Sequence, residues 1–71
     1  MTADEWIRTF AEKIGCEPLA PEQVDEILRL ASVAAHASER KAAPVATYLA
    51  GTTGRPVAEL LALAEGLPGR D

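Results

Sequence analysis

The stretch Pro21–Ser38, PEQVDEILRLASVAAHAS, decides the fold. Pro21 suits the first turn of a helix, where its missing N–H has no intrahelical partner. From there Val24, Ile27, Leu28, Ala31, Ala34 and Ala35 recur at helical spacing and form an apolar stripe expected to face inward. Asp25, Arg29, Ser32 and His36 form the opposite, polar stripe. Leu30, Val33 and Ala37 lie beyond both, so the helix is apolar around more than half of its circumference. A second seam of that kind is covered either by further elements of the same chain or by a partner. Leu30, Val33 and Ala37 are therefore candidate interface residues.

Upstream, Thr2 and Glu5 are spaced as a capping box, and Asp4 and Glu5 suit the positive end of a helix. Trp6, Ile7, Phe10, Ala11 and Ile14 supply its apolar stripe, and Gly15 stands where a left-handed cap ends it. Trp6 belongs either to the core or to an interface, where tryptophan often anchors binding. Asp4 with Arg8, and Asp25 with Arg29, are spaced as i, i+4 ion pairs. Downstream, Pro44 is expected to exclude Ala43 from helical geometry and to open a short third helix, Pro44 to Ala50, with Val45, Tyr48 and Leu49 on its buried side and Gly51 as its stop. "GTTGRP" (51–56) reads as a turn. Pro56 opens a fourth helix with Val57, Leu60, Leu61 and Ala64 inward, and Gly66 stops it. No alternating run, hairpin dipeptide or internal repeat interrupts this pattern. The expectation is an all-α fold, a small bundle of four helices, two long and two short, in a single domain over residues 1–65 with a frayed tail over 66–71.

Composition narrows the function. In 71 residues a single core supplies only about 3–5 kcal/mol of net stability, and here 48% of the residues are hydrophobic but only 4% aromatic. Alanine makes up much of that apolar fraction, which favours close helix packing and raises the need for a partner to complete burial. A net charge of −4 argues against nucleic acid and anionic membrane as partners, because both select a basic surface. The lone Cys16 cannot form an internal disulfide, no Cys/His spacing suits a metal, and no apolar run is long enough for a membrane span. A cytoplasmic protein without cofactor or metal is expected.

Chemistry has few places to reside. His36 is the only histidine, but no nucleophile or orienting acid stands at motif spacing, so catalysis is not expected. Arg40 and Lys41 directly precede a helix start, where free amides and the helix dipole favour an anion. If the second helix reaches that far, His36 and Arg40 share a face, and His36, Arg40 and Lys41 become candidate ligands for a phosphate or carboxylate.

The pattern of "EWI" (5–7), "IGC" (14–16) and above all "AHASERKAAPVATYLAG" (35–51) resembles a small bacterial domain of uncharacterised function, found alone and fused behind a molybdenum-cofactor guanylyltransferase. The similarity runs from about Trp6 to about Arg55. Its most specific part is Ala35-His36, Arg40, Ala42-Ala43-Pro44 and Thr47 to Gly51. Lys41, where the family often has proline, and Val45-Ala46 depart from it. The resemblance implies a context in molybdenum-cofactor biosynthesis and no activity of the domain itself. The leading expectation is a small, non-catalytic accessory or protein-interaction module that associates with itself or with a protein partner. The alternative is a binder of a small anion, a nucleotide or pterin phosphate, at the joint between the second and third helices.

Overall fold

The computed structural model describes residues 1–69. It contains four helices, α1 (Ala3–Lys13), α2 (Pro21–Ala37), α3 (Ala42–Thr53) and α4 (Val57–Glu65), and no strand among the described residues. The all-α bundle is as the periodicity predicts.

The start and end of α1 are set by side chains adjacent in sequence. Thr2 N–H donates to Glu5 Oε1 at 2.9 Å, and Glu5 N–H donates to Thr2 Oγ1 at 3.1 Å, which completes the capping box. At the far end Gly15 takes φ +80°. Cys16 N–H donates to the Ala11 carbonyl at 2.8 Å and Gly15 N–H to the Glu12 carbonyl at 3.2 Å, the paired bonds of a Schellman cap. α2 begins at Pro21, and the Gln23 side chain accepts the Ala20 N–H at 2.9 Å.

α3 departs from expectation at both ends. Pro44 does not exclude Ala43. It sits in the first turn of a helix that starts at Ala42, where the backbone N–H groups have no intrahelical acceptor and a missing one costs nothing. Gly51 does not stop the helix either. Gly54 does, at φ +70°, and Gly51 lies inside the last turns without a positive φ. The side-chain hydroxyls of Thr52 and Thr53 bond back to the Leu49 and Ala50 carbonyls and occupy acceptors that the helix end leaves open. α4 follows Pro56 and ends at Gly66. Leu67, Pro68 and Gly69 continue without helix, and residues 70 and 71 of the expected tail lie outside the described residues.

α2 is the axis of the fold and packs against both α3 and α4. The buried centre is formed by Leu30 of α2, 4% exposed, and Leu61 of α4, 6% exposed. Ile27, Ala34 and Ala37 of α2 flank Leu30, with Ala46, Thr47 and Ala50 of α3 and Val57, Leu60 and Ala64 of α4 half-buried. Val24, Ile27, Ala31, Ala34 and Ala35 of the expected stripe are half-buried, while the deepest burial on α2 lies to one side of it, at Leu30. Leu28, expected inside, is 61% exposed, because α3 and α4 cover the other seam. The ion pairs also differ from expectation. Arg29 reaches across to Glu65 of α4 at 4.0 Å, the others are Lys41–Glu39 and Arg55–Glu59, and neither Asp4–Arg8 nor Asp25–Arg29 forms.

Candidate functional site

α1 stands apart from this core. It is the most strongly amphipathic of the four helices, yet none of its residues is buried. Trp6, Ile7, Phe10 and Ile14 are 57%, 40%, 49% and 56% exposed. Trp6 stacks on Phe10, one turn on, with ring centroids 5.2 Å apart and planes inclined by 17°. Offset stacking of this kind orders the two rings relative to each other without removing either from water. Trp6 is therefore not a core residue.

Between α1 and α2 runs a groove of about 670 Å³. Ile7, Phe10, Ala11 and Ile14 form its α1 wall, Val24 and Ile27 its α2 wall, and the linker residues Cys16, Pro18 and Leu19 close one end. Asp4, Arg8, Glu17 and Asp25 stand along it. An apolar trough with charges at its border has the composition of a docking surface. Exposed apolar side chains also occur elsewhere, at Met1, Leu28, Leu63 and Leu67 and at Val45, Tyr48 and Leu49 of α3, the three expected on the buried side of that helix.

The basic joint is arranged differently from what its sequence suggests. α2 ends at Ala37, and Ser38, with φ −140° and ψ −103°, turns the chain out of the helix. His36 and Arg40 consequently share no helix face. The Ala42 and Ala43 N–H groups donate to the Glu39 and Arg40 carbonyls at 2.9 and 3.1 Å, and Pro44 has no N–H to give. The amides that would hold an anion are taken up by the turn itself. Lys41 lies 3.8 Å from Glu39. His36 is exposed, with Nδ1 2.9 Å from the Ser32 carbonyl and 3.1 Å from Ser32 Oγ. A carbonyl can only accept, so Nδ1 carries the proton in this contact. Arg40 and Lys41 thus stand in the turn between α2 and α3, and His36 on the last turn of α2.

Of the expected interface residues, Leu30 lies in the core of the chain and offers no free surface, while Val33 and Ala37 are half-buried on the same side of α2. Their seam is covered by α3 and α4. Beside Leu30, a smaller pocket of about 220 Å³ remains between Ile27, Thr47, Ala50, Gly51 and Val57. Sequence reasoning located Trp6 but did not place Ile7, Phe10 and Ile14 on an open face. The signal available was the imbalance between a strong apolar stripe in α1 and the few bulky residues left to cover it. Cys16 is exposed at the groove. Among the described residues no group of three or more His, Cys, Asp or Glu side chains could hold a metal ion, and no helix is long and apolar enough to cross a membrane.

No curated protein and no solved structure matches the chain. The DUF6457 family, described as a domain of unknown function, matches residues 1–67, and with nearly its whole length covered the chain belongs to that family.

Proposed function

We propose that the chain is a small, non-catalytic protein-interaction module that docks through α1 and the groove beside it. One observation carries this reading: a capped, strongly amphipathic helix whose apolar stripe is 40–57% exposed at its four largest side chains, beside an apolar trough. Monomeric proteins rarely expose a contiguous apolar patch beyond a few hundred Å², and larger ones mark interaction sites. A catalytic reading has no comparable support, since among the described residues the one histidine bonds only to Ser32 on its own exposed helix surface, with no acid to orient the pair. The anion-binding reading loses its amide donors to the turn at Glu39–Ala43.

The resemblance to bacterial domains fused behind molybdenum-cofactor guanylyltransferase supplies a context for such a module, an accessory role beside cytoplasmic molybdenum-cofactor enzymes. The test is affinity co-purification of the full chain and of its Phe10→Glu variant, with bound proteins identified by mass spectrometry. Proteins, including untagged copies of the chain, should be retained by the wild type and lost by the variant. An identical set from both would remove this face from any interaction role.

A further inference from the structure

Resting on that reading, we infer that the occupant of the α1 surface is a second copy of this chain, with the two α1 helices paired antiparallel across a two-fold axis.

The first argument is area. A compact monomer of 7.5 kDa exposes about 4,250 Å² by the scaling of surface with mass. This chain exposes 5663 Å² and extends 40 × 24 × 18 Å, so more than roughly 1,000 Å² per copy is left over. Two copies burying that excess make an interface of about 2,000 Å² or more, the size at which permanent homodimers begin. Such interfaces are more apolar than transient ones and resemble a domain core cut in half. The α1 face is of that kind, and among the described residues only Leu30 and Leu61 are less than a tenth exposed. A chain so thinly packed needs the covering surface whenever it is folded.

The second argument is self-complementarity. Ala3, Ile7, Phe10 and Ile14 follow one another at intervals of four, three and four, a spacing that reads the same from either end. A two-fold axis midway between Arg8 and Thr9 therefore superposes the stripe on itself, setting Ile7 against Phe10 of the second copy and Ala3 against its Ile14. An isologous interface requires this reciprocity, in which each residue meets the counterpart of the one that meets it. On the helix surface Trp6 and Lys13 fall on the same flank at 100° per residue. The two-fold brings the Lys13 ammonium of each copy beside Trp6 of the other, in reach of a cation–π contact.

The third argument is charge. With a net charge of −4, two copies repel over most of their surfaces. α1 itself carries both signs, with Asp4, Glu5 and Glu12 against Arg8 and Lys13. Antiparallel pairing sets the acidic first turn, Asp4 and Glu5, beside the basic last turn of the other helix at Lys13, and opposes the two helix dipoles.

Sedimentation equilibrium on the full chain tests this. The wild type should run at twice 7.5 kDa in the micromolar range, and Trp6 emission should shift to longer wavelength on dilution as the pair separates. Ile7→Glu should weaken association by roughly 100-fold or more, the scale of losing a central interface anchor, while keeping the circular dichroism of α2 to α4. Should that variant fail to fold, two other measurements decide. The wild-type dilution series needs no substitution, and Ile7→Cys in a Cys16→Ser background should oxidise to an interchain disulfide, because the two-fold sets the two positions close to the axis. A 7.5 kDa wild-type species at high micromolar concentration overturns self-pairing. If that monomer still retains another protein through Phe10, the interaction reading survives alone, and if it retains none, both fall. A dimer that Ile7→Glu leaves intact, or in which Ile7→Cys does not cross-link, overturns α1 as the surface.

Discussion

α1 and the α2–α4 unit divide the two tasks of a helical protein between them. α1 has the better local encoding: a complete capping box at Thr2 and Glu5, a two-bond cap at Gly15, acidic residues in its first turn and Lys13 in its last. α2, α3 and α4 have weaker caps, with no side-chain cap on α3 or α4 and an alanine at the N-cap of α2. Yet Leu30 and Leu61 are buried there, whereas Phe10 and Ile14 of α1 remain about half exposed. Good caps thus do not imply packing. They hold α1 as a helix where tertiary burial does little for it, and a pre-formed helix loses less entropy on docking than a disordered one. The unit that packs can dispense with caps because burial stabilises it.

This contrast can be broken by substitution. The largest effect is expected at Leu61→Ala, which removes one of the two most buried side chains and should destabilise by about 2–5 kcal/mol, enough to unfold much of so small a domain. Leu28→Ala, at 61% exposure, should change stability by less than about 0.5 kcal/mol. Equal losses in urea titrations of the two variants would show that Leu28 does not lie on the exposed side of α2.

Glycines sharpen the comparison with opposite signs. Gly54, at φ +70°, ends α3, and Gly54→Ala should cost about 1 kcal/mol because a Cβ is strained there. Gly51 lies within α3 with nothing inside 4 Å of an added Cβ, so Gly51→Ala should raise stability by about 0.5–1 kcal/mol. A loss at Gly51 instead would mean that a partner backbone approaches α3 there. Thermal melts at one fixed concentration separate the outcomes.

The smallest effect concerns α1 and pH. The Thr2 backbone N–H, followed by its hydroxyl and the Arg8 charge, holds the Glu5 carboxyl below its usual value of 4.5. A lowered value means that the unfolded chain binds the proton more readily than the folded one. The contribution of Glu5 is therefore fully present above the ordinary carboxylate range and is lost as pH falls through its lowered folded value. Helical circular dichroism should decline slightly below about pH 4.5 in the wild type, and less so in Glu5→Gln, whose amide keeps the bond to Thr2 without titrating. An identical decline in both would remove Glu5 from the acid response.

How legible the molecule is in its sequence differs by element. Thr2, Glu5 and Gly15 bound α1 correctly, and Pro21 marks the start of α2, because caps act between residues a few positions apart. Pro44 and Gly51 mislead for the same kind of reason. Each has two local meanings, breaker or first-turn residue, stop or tolerated interior glycine, and the choice depends on where the neighbouring turn begins. His36, Arg40 and Lys41 look like an anion site as a list of residues. Ser38 turns the chain out of the helix and the Glu39–Ala43 turn uses the amides, and neither follows from their order alone.

The sequence by itself determined the helical class, four apolar segments, most of their ends and an acidic surface, since each rests on short-range spacing and charge. Only the tertiary structure decided which residue of α2 is buried deepest. The helix is apolar over more than half of its circumference, and the stripe through Leu28 and the seam through Leu30 are both able to bury. Periodicity ranks faces by their own hydrophobicity, but burial depends on what arrives to cover them. Here α3 and α4, held by short connections, reach Leu30 and Val33, while the longer link from Ile14 to Ala20 leaves α1 across a groove with Trp6, Ile7, Phe10 and Ile14 open. The most strongly amphipathic helix is thus left largely uncovered, because the deepest burial of α2 is directed to α3 and α4 and not to α1.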